Sequence, residues 1–392
     1  MIKRELFIAW LQLRFQKPQT FAAIASIIFI TLLLFMQIGY REAFLNALIE
    51  IPRKLRGDLF MFHASTQTAL YPVSFPQQQL CRVLAFPDVE SIMPIYVHRT
   101  SASDPLAISG FVYSIHILGF PVSQSPLDIP ELDHQLHLLK ENRVFLMDEL
   151  SRHKLRQIIK DVDSQGYRKI TLGSHTGNMN RVVIKGLFSM GINETISSNM
   201  LTGDATFMEI FKRKRQDIDI GVIHLKPGTN ADSLQKKLKD YLPSDIVIRQ
   251  KNEILADERE MFESGMPIGV AFRTALGVSI FVGIIVLYQV LFQITSKHLR
   301  DYAVLKALGF THTILLSIVF SQAVILAVLG YIPGLALSFY FYGKMTQWTS
   351  LQHSITVEIA DVVFAMTASI SLISAMFAIR KLREADPADL FE

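Results

Sequence analysis

The sequence has 392 residues, of which 50% are hydrophobic, and its mean hydropathy is positive, which excludes an ordinary soluble protein. The formal net charge is only +4, and no basic stripe is interleaved with aromatic side chains, so the sequence argues against nucleic-acid binding. Cys81 is the only cysteine, which excludes an intrachain disulfide and a zinc site built on several thiolates.

Four stretches are long and apolar enough to cross a membrane, because a span takes about 20 apolar residues to cross a hydrocarbon core roughly 30 Å thick. We predict transmembrane helices at 18–40, 266–296, 311–343 and 362–379. A cleaved signal peptide is the alternative for the first stretch. Its long apolar run and the poor cleavage sequence that begins at Gln37 argue against that alternative. The sequence therefore predicts an α-helical integral membrane protein with four transmembrane helices.

Basic residues indicate the orientation, because lysine and arginine beside a span favour the cytoplasm. They precede the first span, lie between the second and third, and follow the fourth: Lys3, Arg4, Arg14, Lys17, Lys297, Arg300, Lys306, Arg380, Lys381 and Arg383. With four spans these segments share one side, so we predict that both termini and the segment 297–310 are cytoplasmic. Residues 41–265 and the loop 344–361 then lie outside, in the periplasm.

The first 17 residues alternate apolar and basic side chains, with Trp10 among them. This pattern predicts an amphipathic N-terminal helix at the cytoplasmic membrane surface. A charged tail without structure is the alternative.

The outer region, 41–265, has mixed strand and helix patterns and predicts a large α+β periplasmic domain inserted between helices 1 and 2. Predicted strands are 58–63, 91–98, 107–113, 143–147, 181–187, 218–225 and 246–250. Predicted helices are 74–86, 130–139, 205–214, 231–242 and 252–264. A strand–helix–strand pattern occurs near both ends, so we predict two lobes. Lobe one comprises 41–130 and 205–265, and the inserted lobe comprises 131–204.

The segment 294–310 is a short polar stretch between two spans, with apolar residues close to helical spacing and Gly309 where a helix C-cap glycine would lie. It predicts a short amphipathic helix on the cytoplasmic side, to which a soluble partner could bind. The alternative is a basic loop that only fixes the topology. The third span contains Pro333 and Gly334, which are candidates for a helix kink, either as a hinge or as a packing device.

No recognisable catalytic motif occurs in the sequence. It has no phosphate-binding loop, no His-Glu-x-x-His and no Gly-x-Ser-x-Gly, and the pair His134 and His137 is weak evidence for a metal. The spans contain no carboxylate, which argues against an ion-coupled transporter. We therefore predict a chain that is not an enzyme by itself, binds no cofactor or metal, and depends on a partner for energy.

The cytoplasmic end of the second span carries Arg300-Asp301, followed by Leu305-Lys306-Ala307-Leu308-Gly309. These motifs resemble the FtsX/MacB family of ABC permeases, which has an Arg-Glu pair where this chain has Arg300-Asp301 and a similar Leu-(Arg/Lys)-Ala-Leu-Gly run after it. The ending from Arg380 to Ala388, with Pro387, is similar to the family's ending after its last span. Within the family the chain is most similar to the DevC branch of cyanobacteria, in stretches such as 35–41, 329–334 and 385–391.

The resemblance implies a homodimeric permease in the inner membrane. It implies a DevA-like ATPase subunit beneath the membrane, which would carry the ATP and Mg²⁺, a DevB-like periplasmic adaptor above it, and a TolC-like outer-membrane channel. ATP-driven motion would pass through the spans to the outer domain and expel a substrate by mechanotransmission. Glycolipid is the candidate substrate, and the membrane lipid itself is a further partner.

The residues that we expect to grip the ATPase are Lys297, His298, Arg300, Asp301, Leu305, Lys306, Leu308 and Gly309. Arg380, Lys381, Arg383 and Asp386 of the cytoplasmic tail, 380–392, are expected to flank the same contact. Two alternatives stay open. One is an FtsX-like regulator of a cell-wall hydrolase that transports nothing, and the other is a membrane sensor without an ATPase.

Overall fold

The computed structural model describes residues 2–103, 113–152, 155–173, 179–191, 196–297, 312–349 and 354–384. The chain divides into two compact units. The membrane unit comprises Met1–Ala43, Pro267–Trp348 and His353–Glu392, and the outer unit comprises Phe44–Met266 with Thr349–Gln352.

In chain order, the helices of the described residues are α1 Ile2–Phe15, α2 Lys17–Leu48, α3 Glu50–Lys54, α4 Gln77–Arg82, α5 Pro130–Gln135, α6 Arg156–Gln165, α7 Asp204–Phe211, α8 Ala231–Tyr241, α9 Lys251–Glu260, α10 Pro267–Lys297, α11 His312–Thr349 and α12 Val357–Glu384. Short 3₁₀ turns at Val83–Ala85 and Leu136–Lys140 extend α4 and α5, and a π-helical turn at Met261–Gly265 follows α9.

The strands of the described residues are all in the outer unit. They are β1 Leu59–His63, β2 Phe75–Pro76, β3 Val89–Ser103, β4 Tyr113–Phe120, β5 Val144–Asp148, β6 Arg168–Gly173, β7 Met179–Phe188, β8 Ser198–Gly203, β9 Asp217–Ile218, β10 Ile220–Leu225 and β11 Ile246–Gln250.

Four helices are apolar and long enough to span a membrane, which confirms the predicted fold class. They lie within α2, α10, α11 and α12, and their mean hydropathies are between 2.0 and 2.5. The helices are longer than the predicted spans because helical structure continues past the apolar windows. In α2, for example, it passes through Arg41 and Glu42, which form an ion pair of 3.0 Å. The 38 residues of α11, at about 1.5 Å each, exceed a hydrocarbon core of roughly 30 Å, so this helix extends beyond the bilayer.

The two ends of the outer unit form one four-stranded antiparallel sheet in the order β11-β1-β10-β3. Helix α4 connects β1 to β3, and α8 connects β10 to β11, so the sheet is a split β-α-β arrangement of the ferredoxin-like kind. The predicted strand–helix–strand pattern at both ends of the region is therefore present.

The second half of β3 belongs to a different set of strands. Val89–Ile95 pairs with β10, whereas Tyr96–Ala102 pairs with β4. From there the order runs β4-β8-β5-β7-β6, and β6 pairs with β3 again at Ala102 and Ser103, so that the strands close into a ring.

The predicted lobe boundary at 130–131 is therefore wrong. Strand β4, which the prediction places in lobe one, belongs to the ring, and α7 packs against β4 and β8. The reason is the length of β3: a single strand of 15 residues serves both sheets, so the outer unit is one compact body. Of the strand predicted at 107–113, residues 107–112 lie outside the described part of the chain. Its last residue, Tyr113, is the first residue of β4.

Successive side chains of β1 point to opposite faces of the sheet, and each face carries its own apolar core in the outer unit. Leu59 and Met61 face one cluster together with Leu80 and Leu234 of the connecting helices. Phe60 and Phe62 face the other cluster. The membrane unit has its own core, to which α1, α2, α10, α11 and α12 all contribute.

Candidate functional site

The segment predicted to grip an ATPase lies almost entirely outside the described residues. This applies to His298, Arg300, Asp301, Leu305, Lys306, Leu308 and Gly309, and to Asp386 of the tail. Lys297 is the exposed last residue of α10, and Arg380 is exposed on α12. Lys381 and Arg383 lie in the last turns of α12. The roles given to these residues stay predictions.

The helices that flank this segment are described, and both are anchored in the core of the membrane unit. At the end of α10, Leu291 and Ile294 are buried, and on the other flank Val319 of α11 is buried. All three belong to one cluster with Leu13 of α1 and Ile379 of α12. A displacement of the segment would therefore act on a packed core that the helices of this unit share, and packed cores transmit strain.

Helix α11 approaches α2 closely through two glycines spaced four residues apart. A Cβ built on Gly330 would lie 2.5 Å from Cγ2 of Ile27 and 3.3 Å from the carbonyl oxygen of Ile24. A Cβ on Gly334 would lie 2.9 Å from Cβ of Thr31. Small residues at this spacing let the backbones of membrane helices come together. The spacing is visible in the sequence, but the prediction for Gly334 concerned only a kink with Pro333 and missed the contact.

The same two helices are held at a second level by Tyr342. Its hydroxyl donates a hydrogen bond of 2.5 Å to the carbonyl oxygen of Phe35, and a Cβ on Gly39 would overlap this hydroxyl group. Helix α11 is continuous through Pro333, so the proline does not end it. A kink at Pro333 stays a prediction.

Three further polar contacts tie the other helices together. Ser374 of α12 donates to the carbonyl oxygen of Ile284 of α10 at 3.0 Å, and Tyr331 of α11 donates to the carbonyl oxygen of Ala360 of α12 at 2.8 Å. Hydrogen bonds between side chain and backbone hold membrane helices together where the hydrophobic effect cannot.

The last of the three contacts connects α1 to α11. The amide nitrogen of Gln322, which is fully buried, donates to Oε1 of Gln12 at 2.7 Å. The amphipathic helix α1 is thus attached to the spans. Leu6, Phe7, Trp10, Leu11 and Phe15 are exposed on it, as expected of a helix at a membrane surface.

In the outer unit two buried carboxylates organise the backbone. Asp148 accepts hydrogen bonds from the backbone N–H groups of Leu150, Met190 and Gly191 and from the side chain of Asn199, at 2.8–3.3 Å. Burial nevertheless raises the pKa of Asp148, and these hydrogen bonds only partly offset the rise.

The second carboxylate, Asp219, stands where β3 changes partners. Its carboxylate accepts from the backbone N–H of Val97 at 2.7 Å and from the hydroxyl of Ser74 at 2.6 Å, and it pairs with Arg213 at 2.9 Å. Val97 is the second residue of the stretch that pairs with β4, two positions after the last residue that pairs with β10, so Asp219 binds a backbone group at the junction of the two sheets.

Among the described residues no group of three or more histidine, cysteine, aspartate or glutamate side chains could hold a metal ion. His134 and His137 are both exposed, and Nδ1 of His137 lies 3.0 Å from the carbonyl oxygen of His134. A hydrogen bond to the carbonyl oxygen thus engages this ring nitrogen, which would otherwise be available to a metal.

Comparisons with known proteins bear on this arrangement. The chain has low similarity to three solved structures. The periplasmic region of MacB from Actinobacillus actinomycetemcomitans is 12% identical, with 51% of this chain and 92% of that one covered and a TM-score of 0.34. The extracellular domain of the noncanonic ABC-type transporter YknZ from Gram-positive bacteria is 14% identical, with 50% of this chain and 99% of that one covered and a TM-score of 0.33. A domain of a putative permease protein from Porphyromonas gingivalis is 15% identical, with 49% of this chain and 87% of that one covered and a TM-score of 0.29.

No curated protein sequence matches the chain. The family model for the FtsX-like permease C-terminal domain matches residues 273–387, a range that contains all of α11 and α12, most of α10, and the segment between α10 and α11. This is the part of the chain in which the motifs of the sequence suggested the family. The chain therefore contains, at 273–387, a region similar to the FtsX-like permease C-terminal domain, which supports the predicted FtsX/MacB family of ABC permeases, whereas the DevC branch stays a prediction.

Proposed function

We propose that this protein is the membrane-spanning permease subunit of an ATP-driven exporter, and that it passes the motion of an ATPase subunit to its outer unit. The ATPase would bind the cytoplasmic segment 297–310, with Arg380, Lys381, Arg383 and Asp386 beside it, and would carry the ATP and Mg²⁺. Both termini would lie in the cytoplasm.

The observation that carries this proposal is the anchoring of the two helices on either side of the segment. Leu291 and Ile294 at the end of α10, and Val319 near the start of α11, are buried in one core with α1 and α12. A force applied to the segment would reach all the helices of the membrane unit through close-packed side chains. The described part of the spans contains no mid-membrane carboxylate, so the spans themselves offer no site for ion coupling.

The finer assignment rests on the resemblance to the DevC branch. We propose a homodimer that works with a DevB-like adaptor and a TolC-like channel and exports a glycolipid. The exposure of α10 supports a second copy or lipid against it, because only 17% of its apolar window is buried within the chain, the smallest share of the four spans.

The test is co-purification of the ATPase with the full-length chain from membranes in a mild detergent. We expect Leu308→Asp to lose the ATPase, because a carboxylate on the apolar face of the predicted helix would have to be buried without a partner. Asp301→Glu is the matched control, because it restores the acidic residue usual in the family and should retain the ATPase.

The possible outcomes separate the alternatives. If no ATPase accompanies the native chain, the proposal fails and a sensor without an ATPase is favoured. If the ATPase binds and hydrolyses ATP but cells export no lipid and their cell-wall hydrolysis changes, the chain is a regulator and export is excluded.

A further inference from the structure

Glu258 is a buried acid for which the proposed function gives no role. It lies on α9 and is only 1% exposed. One carboxyl oxygen, Oε1, accepts a hydrogen bond of 2.5 Å from the backbone N–H of Ala69. The other oxygen, Oε2, is buried and has no hydrogen-bond partner among the described residues. An ionised carboxylate with a bare buried oxygen is costly, since burial disfavours the charged form.

The group that Glu258 binds belongs to a loop that is held by its own turns and by contacts outside it, since the N–H of Ala64 donates to the carbonyl oxygen of Asp245 at 2.7 Å and Arg99 donates to the hydroxyl of Tyr71 at 2.9 Å. This loop, residues 64–73, follows β1. Within it the N–H of Leu70 donates to Oγ1 of Thr68 and the N–H of Val73 donates to Oγ1 of Thr66. The hydrogen bond of Ala69 is different, because it connects the loop to a helix 189 positions further along the chain.

The charged groups around Glu258 do not neutralise it by direct contact. Burial is the main cause that raises its pKa to about 7, and Arg249 of β11 lowers the pKa only in part. Arg249 pairs with Asp257, whose nearby charge raises the pKa of Glu258. On α9 itself Arg259 pairs with Glu263, which lies in the π-helical turn.

The remaining elements packed against α9 also carry charged or titratable groups. On α3, Glu50 and Arg53 pair at 3.2 Å, and Lys54 lies beside them. At the start of the loop, Nδ1 of His63 accepts from the N–H of Ser65, and Tyr71 lies near its end.

We propose that Glu258 is a protonation-controlled latch that closes the 64–73 loop onto α9 when it is neutral and releases the loop when it is ionised. In the neutral state Oε1 still accepts from Ala69, and no charge is buried. In the ionised state water must reach Oε2, which requires α9 and the loop to separate. Because α9 continues through the Met261–Gly265 turn into α10, the latch acts on the chain segment that enters the second span.

The direction of the pH dependence follows from linkage. The folded-state pKa of Glu258 lies above its ordinary value of 4.5, so its stabilising effect is fully present below about pH 4.5 and is lost as the pH rises through about 7. Between about pH 4.5 and pH 7 the equilibrium for closure should fall about tenfold for each pH unit, because one proton is linked to closure in that range, and above about pH 7 it should level off, because both states are then ionised.

Hydrogen exchange of the full-length chain in detergent, followed by mass spectrometry and corrected for intrinsic exchange rates, tests this proposal. We expect protection in the 64–73 loop and in α9 to fall about tenfold per pH unit between about pH 4.5 and pH 7 and to level off above about pH 7. Glu258→Gln, which mimics the neutral acid, should keep both segments protected at every pH. The matched control is Glu260→Gln, the same change at an exposed position of α9, which should behave like the native chain.

Two results would overturn the proposal. One is protection of the loop that does not depend on pH in the native chain. The other is a pH dependence that persists in Glu258→Gln, which would assign the effect to another group.

Discussion

Replacing Gly330 by leucine is expected to destabilise the membrane unit by about 3 kcal/mol, the upper end of the usual range for overpacked cores. The Cβ alone would lie 2.5 Å from Ile27, a β-branched residue with little freedom to turn away, and 3.3 Å from the backbone oxygen of Ile24. A leucine side chain would therefore force α11 away from α2. The free energy of unfolding of the purified chain in detergent mixtures measures the loss.

Gly343→Leu is the control for this experiment. Gly343 lies on the same helix, and nothing in the described part of the chain lies within 4 Å of a Cβ built there. It makes the same chemical change without the close approach, so its stability should match that of the native chain. Equal stability of the Gly330 and Gly343 variants would show that α2 and α11 do not pack as described.

Replacing Asp219 by alanine should destabilise the outer unit by about 3–5 kcal/mol, as the removal of one partner of a buried ion pair does. Asp219 is 1% exposed, and its loss would leave Arg213 without its carboxylate partner and the N–H of Val97 without its acceptor at the junction of the two sheets. Hydrogen exchange of β3 and β10 amides in increasing urea would report the change, with the full chain in detergent.

Glu209→Ala is the comparison for Asp219→Ala. Glu209 also pairs with an arginine, Arg143, at 2.6 Å, but the two side chains are 35% and 48% exposed. An exposed pair contributes at most about 1 kcal/mol, so this variant should remain close to the native chain. A similar loss in the two variants would contradict the role given to Asp219.

Much of the membrane unit could be predicted from the sequence, because a bilayer imposes a simple rule on length and polarity. Helix α8 was also well predicted, at 231–242 against the observed Ala231–Tyr241. Asn230 caps its first turn by accepting from the N–H of Ser233, and Leu234 and Leu238 fall on one buried face.

Strand β8 was missed, and the reason is physical. It reads Ser-Asn-Met-Leu-Thr-Gly, a composition typical of a turn, yet all six residues are buried between β4 and β5. Its polar side chains form hydrogen bonds with distant partners: Ser198 with Ser151, Asn199 with Asp148 and Thr202 with the carbonyl oxygen of Val144. Burial that depends on such long-range hydrogen bonds leaves no periodic pattern in the strand itself.

The predicted coupling residues are the opposite case, because the sequence is informative about them and the structure is not. Their motif was specific enough to suggest the family, and the family model matched the same region. Motif residues such as Leu308 lie outside the described residues, so their contacts remain predictions. The glycine contacts of α11 with α2, in contrast, are visible only in the packed structure, because the sequence does not say which helix faces the glycines.

The most direct test of the account is hydrogen exchange of the outer unit in the complex with the ATPase, with and without a non-hydrolysable ATP analogue. If motion passes from the cytoplasmic segment through the shared core to the outer unit, the analogue should change the protection of α9 and of the strands. Gly330→Leu, which separates α2 from α11, should abolish that change while the analogue still binds the ATPase. Identical exchange of the outer unit with and without the bound analogue would contradict the account.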